Sequence, residues 1–133
     1  MDIVIDASVF IATIANEPEK DRLIQATKGA NLIVLPSIHW EIGNAFSAML
    51  KRNRISFDQV LDPIDIYYQI PIRFASVELE EPLQLAAEKN KIYAYYAYII
   101  RWAVKYQAAL LSLDKNLLTV ANAMGVKVIE VRI

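Results

Sequence analysis

The sequence predicts an α/β fold, an open parallel sheet of about four to five strands covered by helices on both faces. Three observations predict it. Short apolar, β-branched runs recur at 1–5, 31–35, 109–113 and 126–131. Between them lie stretches whose apolar residues repeat at three and four positions. Two of the apolar runs stop on an aspartate, Asp6 and Asp114, which marks the end of a buried strand.

The elements follow in order. Met1 to Ile5 reads as a strand, and Ala7 onwards as a helix that Glu17-Pro18-Glu19 interrupts. A second helix covers Glu19 to Thr27 and ends at Gly29, and Asn31 to Leu35 is a buried strand. Pro36-Ser37 opens a long helix to about Arg52, on which Ile38, Ile42, Ala45, Phe46 and Met49 form the core face. Ser56 caps a further helix that is expected to break at Pro63, and Ile70 to Val77 is extended around Pro71. Pro82 to Lys89 and Ile92 to Tyr106 are helical, with Asn90-Lys91 breaking the helix between them. Ala109 to Leu113 is a strand, Lys115 to Met124 a helix capped by Gly125, and Val126 to Val131 a last strand.

The chain of 133 residues suits a single domain, 1–133, with no repeat and no linker. No apolar run reaches the roughly 20 residues that span a bilayer, and no basic leader precedes Asp2, so a cytoplasmic protein is expected. The absence of Cys excludes disulfides, thiolate zinc sites and Cys nucleophiles. One histidine, His39, is too few for paired-imidazole cleavage of RNA. Hydrolytic chemistry would therefore rest on carboxylates, hydroxyls and a recruited metal. The net charge of −1 gives no global attraction to nucleic acid, so binding would need local cations. Lys51, Arg52 and Arg54 at one helix end are candidates, with Arg101, Lys105 and Lys115 elsewhere.

In open α/β sheets the site lies outside the carboxyl ends of the strands. Asp6 and Asp114 both stand at such ends, so two carboxylates far apart in sequence are expected to meet there. Asp2 is excluded, because four residues of strand separate it from Asp6 by about 13 Å. Glu41 lies near the start of a helix that follows a strand and flanks its core stripe, where an acid needs a partner or a cation. Each acid alone is readily a cap or a solvated group. Together at these element ends they point to a hard-cation site, since Mg²⁺ takes oxygen ligands.

These residues carry a resemblance. Val4-Ile5-Asp6-Ala7-Ser8-Val9 resembles the opening strand motif of PIN-domain toxins. Leu35-Pro36-Ser37 followed by Trp40-Glu41-Ile42-Gly43-Asn44-Ala45 resembles their second acidic motif, and Leu110 to Leu117, around Asp114, resembles the fourth. The likeness runs through essentially the whole chain and is to VapC-like ribonucleases of type II toxin–antitoxin systems. It implies a PIN-like three-layer fold and an endoribonuclease that hydrolyses phosphodiesters with Mg²⁺, or Mn²⁺, held by Asp6, Glu41 and Asp114. Ser8, Asn44 and Ser112 would support the ligands or the phosphate. The implied partners are RNA, a cognate antitoxin protein and a second copy in a homodimer, with no membrane.

One position departs from the motif. Ile92 to Tyr98 is similar to the third acidic motif, but Tyr96 stands where the family carries Asp. A phenol with a pKa near 10 is neutral at pH 7 and ligates Mg²⁺ poorly. Glu88 lies eight residues earlier and does not replace it. Impaired activity is therefore expected, and a PIN-like module that binds RNA or antitoxin without cleaving is the rival reading. A phospho-receiver ranks below both, because Asp6 has no adjacent acid. His39 and Trp40 before Glu41 read as a partly exposed residue and an interface residue rather than as base-stacking groups. The spacing of Tyr93, Tyr95, Tyr98 and Trp102 reads as helix packing.

Overall fold

The computed structural model describes residues 1–76, 78–88 and 93–131. Along the chain run β1 (Asp2–Ile5), α1 (Ala7–Ile14), α2 (Lys20–Thr27), β2 (Asn31–Val34), α3 (Ile38–Lys51) and α4 (Phe57–Gln69). They are followed by β3 (Arg73–Phe74), α5 (Glu80–Glu88), α6 (Ala94–Lys105), β4 (Ala109–Leu111), α7 (Lys115–Ala123) and β5 (Val128–Ile129). The strands form one sheet in the order β3-β2-β1-β4-β5, and every pairing is parallel. This is the α/β architecture expected from the alternation of strand and helix patterns.

Side chains alternate across a strand, so a sheet buried on both faces needs apolar residues at every position. β1 shows why its sequence is continuous Ile-Val-Ile. Ile3 and Ile5 enter a core shared with Val34, Leu111, α1, α3 and α4, whereas Val4 enters a second core with Ile33, Leu110, α6 and α7. Leu110, Leu111, Ile33 and Val34 are completely buried. The sheet is thus the middle of three layers.

That parity places the chemistry. Asp6 continues β1 with extended backbone, so it falls on the Val4 side, beneath α6. Ile5 pairs with Leu111, which sets Asp6 opposite Ser112 at the carboxyl edge. Helices α3 and α7 start at this edge because they follow β2 and β4. The first turn of α6 also reaches it, because α6 returns to the start of β4.

One expectation fails. The helix after Ser56 does not break at Pro63 but runs through it to Gln69. A proline there removes one hydrogen bond and strains the turn before it. The reciprocal Ser56–Gln59 capping box fixes the start, and Val60 before the proline and Ile64 and Tyr67 after it are packed into the core. Those contacts span the defect. The terminal strands are also shorter than the apolar runs suggested, and the expected break at Asn90-Lys91 lies outside the described residues. Gly125, with φ +81°, closes α7 in the left-handed region that glycine enters freely, and its N–H donates to the Asn122 carbonyl.

Candidate active site at the carboxyl edge

Asp6 is the buried acid of this edge, only 5% exposed. It stands at the N-cap of α1 but makes no capping hydrogen bond there. Two hydroxyls serve it instead. Ser8 donates to Oδ1 at 2.5 Å and Ser112 to Oδ2 at 2.6 Å. Each serine oxygen in turn accepts a main-chain amide, Leu113 N–H for Ser8 and Asp114 N–H for Ser112, both at 2.9 Å. An oxygen that accepts an N–H on one side aims its own proton to the other, so the turn 112–114 orients both hydroxyls onto Asp6. The ends of β1 and β4 are tied together through one carboxylate.

Burial raises the Asp6 pKa above the ordinary carboxylate range. The Ser112 and Ser8 hydrogen bonds and the nearby Val9 amide oppose that rise, and the charge of Asp114 adds to it. Asp114 caps α7, its Oδ1 accepting the amides of Asn116 at 3.0 Å and Leu117 at 3.2 Å. Its Oδ2 accepts the Tyr96 hydroxyl at 2.7 Å. That hydrogen bond is the main cause holding the Tyr96 pKa up, to about 12.

Glu41 occupies the first turn of α3, half-buried, and accepts the Ser37 hydroxyl at 3.0 Å. Tyr95 lies against it and also feels the charge of Asp6. Burial first, and then Glu41, raises the Tyr95 pKa. Of the residues singled out in the sequence, Asp6, Ser8, Ser112, Asp114 and Tyr96 are joined by hydrogen bonds. Glu41 stands at the same edge with Tyr95 beside it. Asn44 is exposed and makes no side-chain hydrogen bond among the described residues. Glu88 accepts from Gln84 within α5 and, among the described residues, shares no hydrogen bond with the acids above.

Sequence reasoning assigned Tyr95 to packing, and it does pack against the core beneath α6, but its proximity to Glu41 was missed. The available signal was its place in the first turn of a helix that must start at the carboxyl edge. Trp40, read as an interface residue, is 71% exposed on this chain, and Tyr93, read as packed, is 68% exposed and meets Tyr96 edge-on. His39 is exposed and its Nδ1 pairs with the Tyr67 hydroxyl at 3.0 Å. Arg101 pairs with Glu81 at 2.8 Å and the Lys105 ammonium lies 4.6 Å over the Trp102 ring. Lys115 lines a groove of about 840 Å³ that reaches Ser112 between α7 and β5.

The donors are hard oxygens, the right kind for Mg²⁺. Protein donors already take up part of their accepting capacity. Both oxygens of Asp6 and both of Asp114 already accept protein hydrogen bonds. Among the described residues no three His, Cys, Asp or Glu side chains are grouped to hold a metal ion. No helix among the described residues is long and apolar enough to cross a membrane.

No protein-family model matches the chain, and no curated protein matches it. Solved structures do. The crystal structure of PAE2754 from Pyrobaculum aerophilum superposes with a TM-score of 0.70, at 22% identity, over 90% of this chain and 78% of that one. At that identity the likeness shows a shared fold. A PilT N-terminus domain protein, SSO1118, from the hyperthermophilic archaeon Sulfolobus solfataricus P2 aligns more loosely. Its TM-score is 0.49 at 19% identity, over 97% of this chain and 86% of that one.

The pH dependence of stability should report the strained charge on Asp6. Because its folded pKa is raised, the folded state binds a proton more strongly than the unfolded chain. Asp6 therefore lowers stability as pH climbs from the ordinary aspartate range through the raised value. In metal-free buffer, Asp6→Asn should raise Tm at pH 7.5 by roughly a few degrees and by much less near pH 4. Thermal melts that show Asp6→Asn destabilised equally at both pH values would contradict a desolvated carboxylate.

Proposed function

We propose that the chain is a PIN-like endoribonuclease module of the VapC toxin type whose metal centre is attenuated at Tyr96. The observation that supports it is the joining of Asp6 and Asp114, through Ser8 and Ser112, at the carboxyl edge of a parallel sheet with Glu41 on the adjoining helix start. A divalent cation, Mg²⁺ or Mn²⁺, would supply an activated water there and would neutralise charge on the phosphate. Asp6, Glu41 and Asp114 are the residues that would hold it. The chain's own contribution is to fix these acids in one place: Ser8 and Ser112 position Asp6, the start of α7 positions Asp114, and Ser37 positions Glu41.

A second reading has its own observation. The Tyr96 hydroxyl donates directly to Asp114, which favours a module that binds RNA or an antitoxin segment and cleaves little. The proposed partners are single-stranded RNA, a cognate antitoxin and a second copy of the chain. Exposed apolar side chains at Trp40, Phe57, Leu61, Ile66 and Tyr68 supply surface for the two protein partners.

Cleavage of a single-stranded RNA with Mg²⁺ separates the readings. The unmodified chain should cleave slowly, and Tyr96→Asp should raise the rate by at least about tenfold, within what one electrostatic donor contributes in a nuclease or esterase site. Asp6→Ala in that background should abolish the gain. Equal rates for the unmodified chain and Tyr96→Asp would show that the third acid is dispensable. No cleavage by either would leave the non-cleaving module. Self-association is checked by light scattering, for which a dimer mass is expected and a monomer mass at high micromolar concentration would remove the homodimer.

A further inference from the structure

The replacement of an acid by Tyr96 subtracts one ligand, but the geometry shows something more than a loss. Asp114 has two carboxylate oxygens. Oδ1 is committed to the helix start, accepting two amides that the cap requires. Only Oδ2 remains to face a cation, and Tyr96 donates its hydroxyl to that atom at 2.7 Å. Asp6 is supplied in the same way, one serine hydroxyl on each oxygen. Clustered carboxylates repel each other, and the ordinary relief is a divalent cation. Here protons on fixed hydroxyls provide it.

The phenol is also held in place. Tyr96 is half-buried, its ring 5.5 Å from that of Tyr93 in an edge-on contact and 6.5 Å from that of Tyr95. The three rings stand on the first turn of α6 and the residue before it, at the carboxyl edge. A cation that approaches Asp114 therefore competes at Oδ2 with a donor whose ring is already packed, for an oxygen that keeps one further lone pair. The raised pKa of Tyr96 agrees with a proton that stays on the phenol.

We infer that the Tyr96 hydroxyl is a built-in competitor for divalent cations at Asp114, so that removing one oxygen atom, without adding any acid, opens the site to metal. Tyr96 is in this sense a positioning residue that acts through Asp114. The inference deepens the ribonuclease reading and rests on the same acidic edge. Its readout is metal affinity without RNA, so it can stand or fall independently of cleavage.

The test is Mn²⁺ titration calorimetry on the full chain stripped of metal, at neutral pH, for the unmodified protein, Tyr96→Phe and Tyr96→Asp. A hydrogen bond to a charged group that the cation no longer has to break corresponds to roughly a ten- to hundredfold gain in affinity. Tyr96→Phe should thus bind Mn²⁺ at least about tenfold more tightly than the unmodified chain. Asp114→Asn in the Tyr96→Phe background, which keeps a capping side chain, should cancel the gain. If Tyr96→Asp gains affinity and Tyr96→Phe does not, the missing carboxylate alone explains the site and the competitor is refuted. No gain in either variant would refute it as well. Circular dichroism establishes that the variants are folded. Should Tyr96→Phe not fold, the unmodified protein still decides: its Tm should not move in millimolar Mn²⁺, and a clear rise would overturn the inference.

Discussion

Everything at the carboxyl edge depends on one buried carboxylate and the two hydroxyls that face it. Asp6 ends the central strand β1, and Ser112 follows its neighbour β4, so the contact between them crosses the middle of the sheet. A charge in that position is unfavourable unless it is well served by donors. Ser8 and Ser112 meet the need because the turn 112–114 offers each of them an amide and so fixes the direction of each hydroxyl proton. The same turn then delivers Asp114 to the start of α7. One local arrangement therefore joins two strands, starts a helix and brings two acids together.

The layered fold was legible because parallel sheets leave a simple mark. Strands buried on both faces read as unbroken apolar runs, and Ile3-Val4-Ile5 and Ile33-Val34-Leu35 divide between two cores as parity requires. The edge placement of Asp6 and Asp114 followed from the same pattern. What the pattern did not carry was the passage of α4 through Pro63, because the contacts of Val60, Ile64 and Tyr67 that hold that helix together are tertiary. Local propensity has no access to them.

The site divides along the same line. The motif resemblance leads to the expectation of an acid at 96, and the sequence itself has Tyr there. Where the phenol's proton goes could not be read from it, since the partner Asp114 is eighteen residues away and the geometry depends on how α6 lies across the sheet. Tyr95 was read as packing because aromatic residues at helical spacing usually pack, and Tyr95, Tyr98 and Trp102 all do. Its proximity to Glu41 arises from the first turn of α6 meeting the start of α3, a contact between elements more than fifty residues apart. The exposed Trp40 and Tyr93 illustrate the converse, large side chains that the fold of a single chain leaves uncovered.

The resulting picture is an acidic edge whose charge is met by protons that the chain itself supplies. Serine hydroxyls serve Asp6, a phenol and two amides serve Asp114, and a serine serves Glu41. The most direct test of that picture is the anomalous scattering of crystals soaked in Mn²⁺. The account predicts no metal peak between Asp6 and Asp114, with the Tyr96 hydroxyl still within hydrogen-bond reach of Asp114. A Mn²⁺ peak bridging the two carboxylates, with Tyr96 turned away, would contradict it.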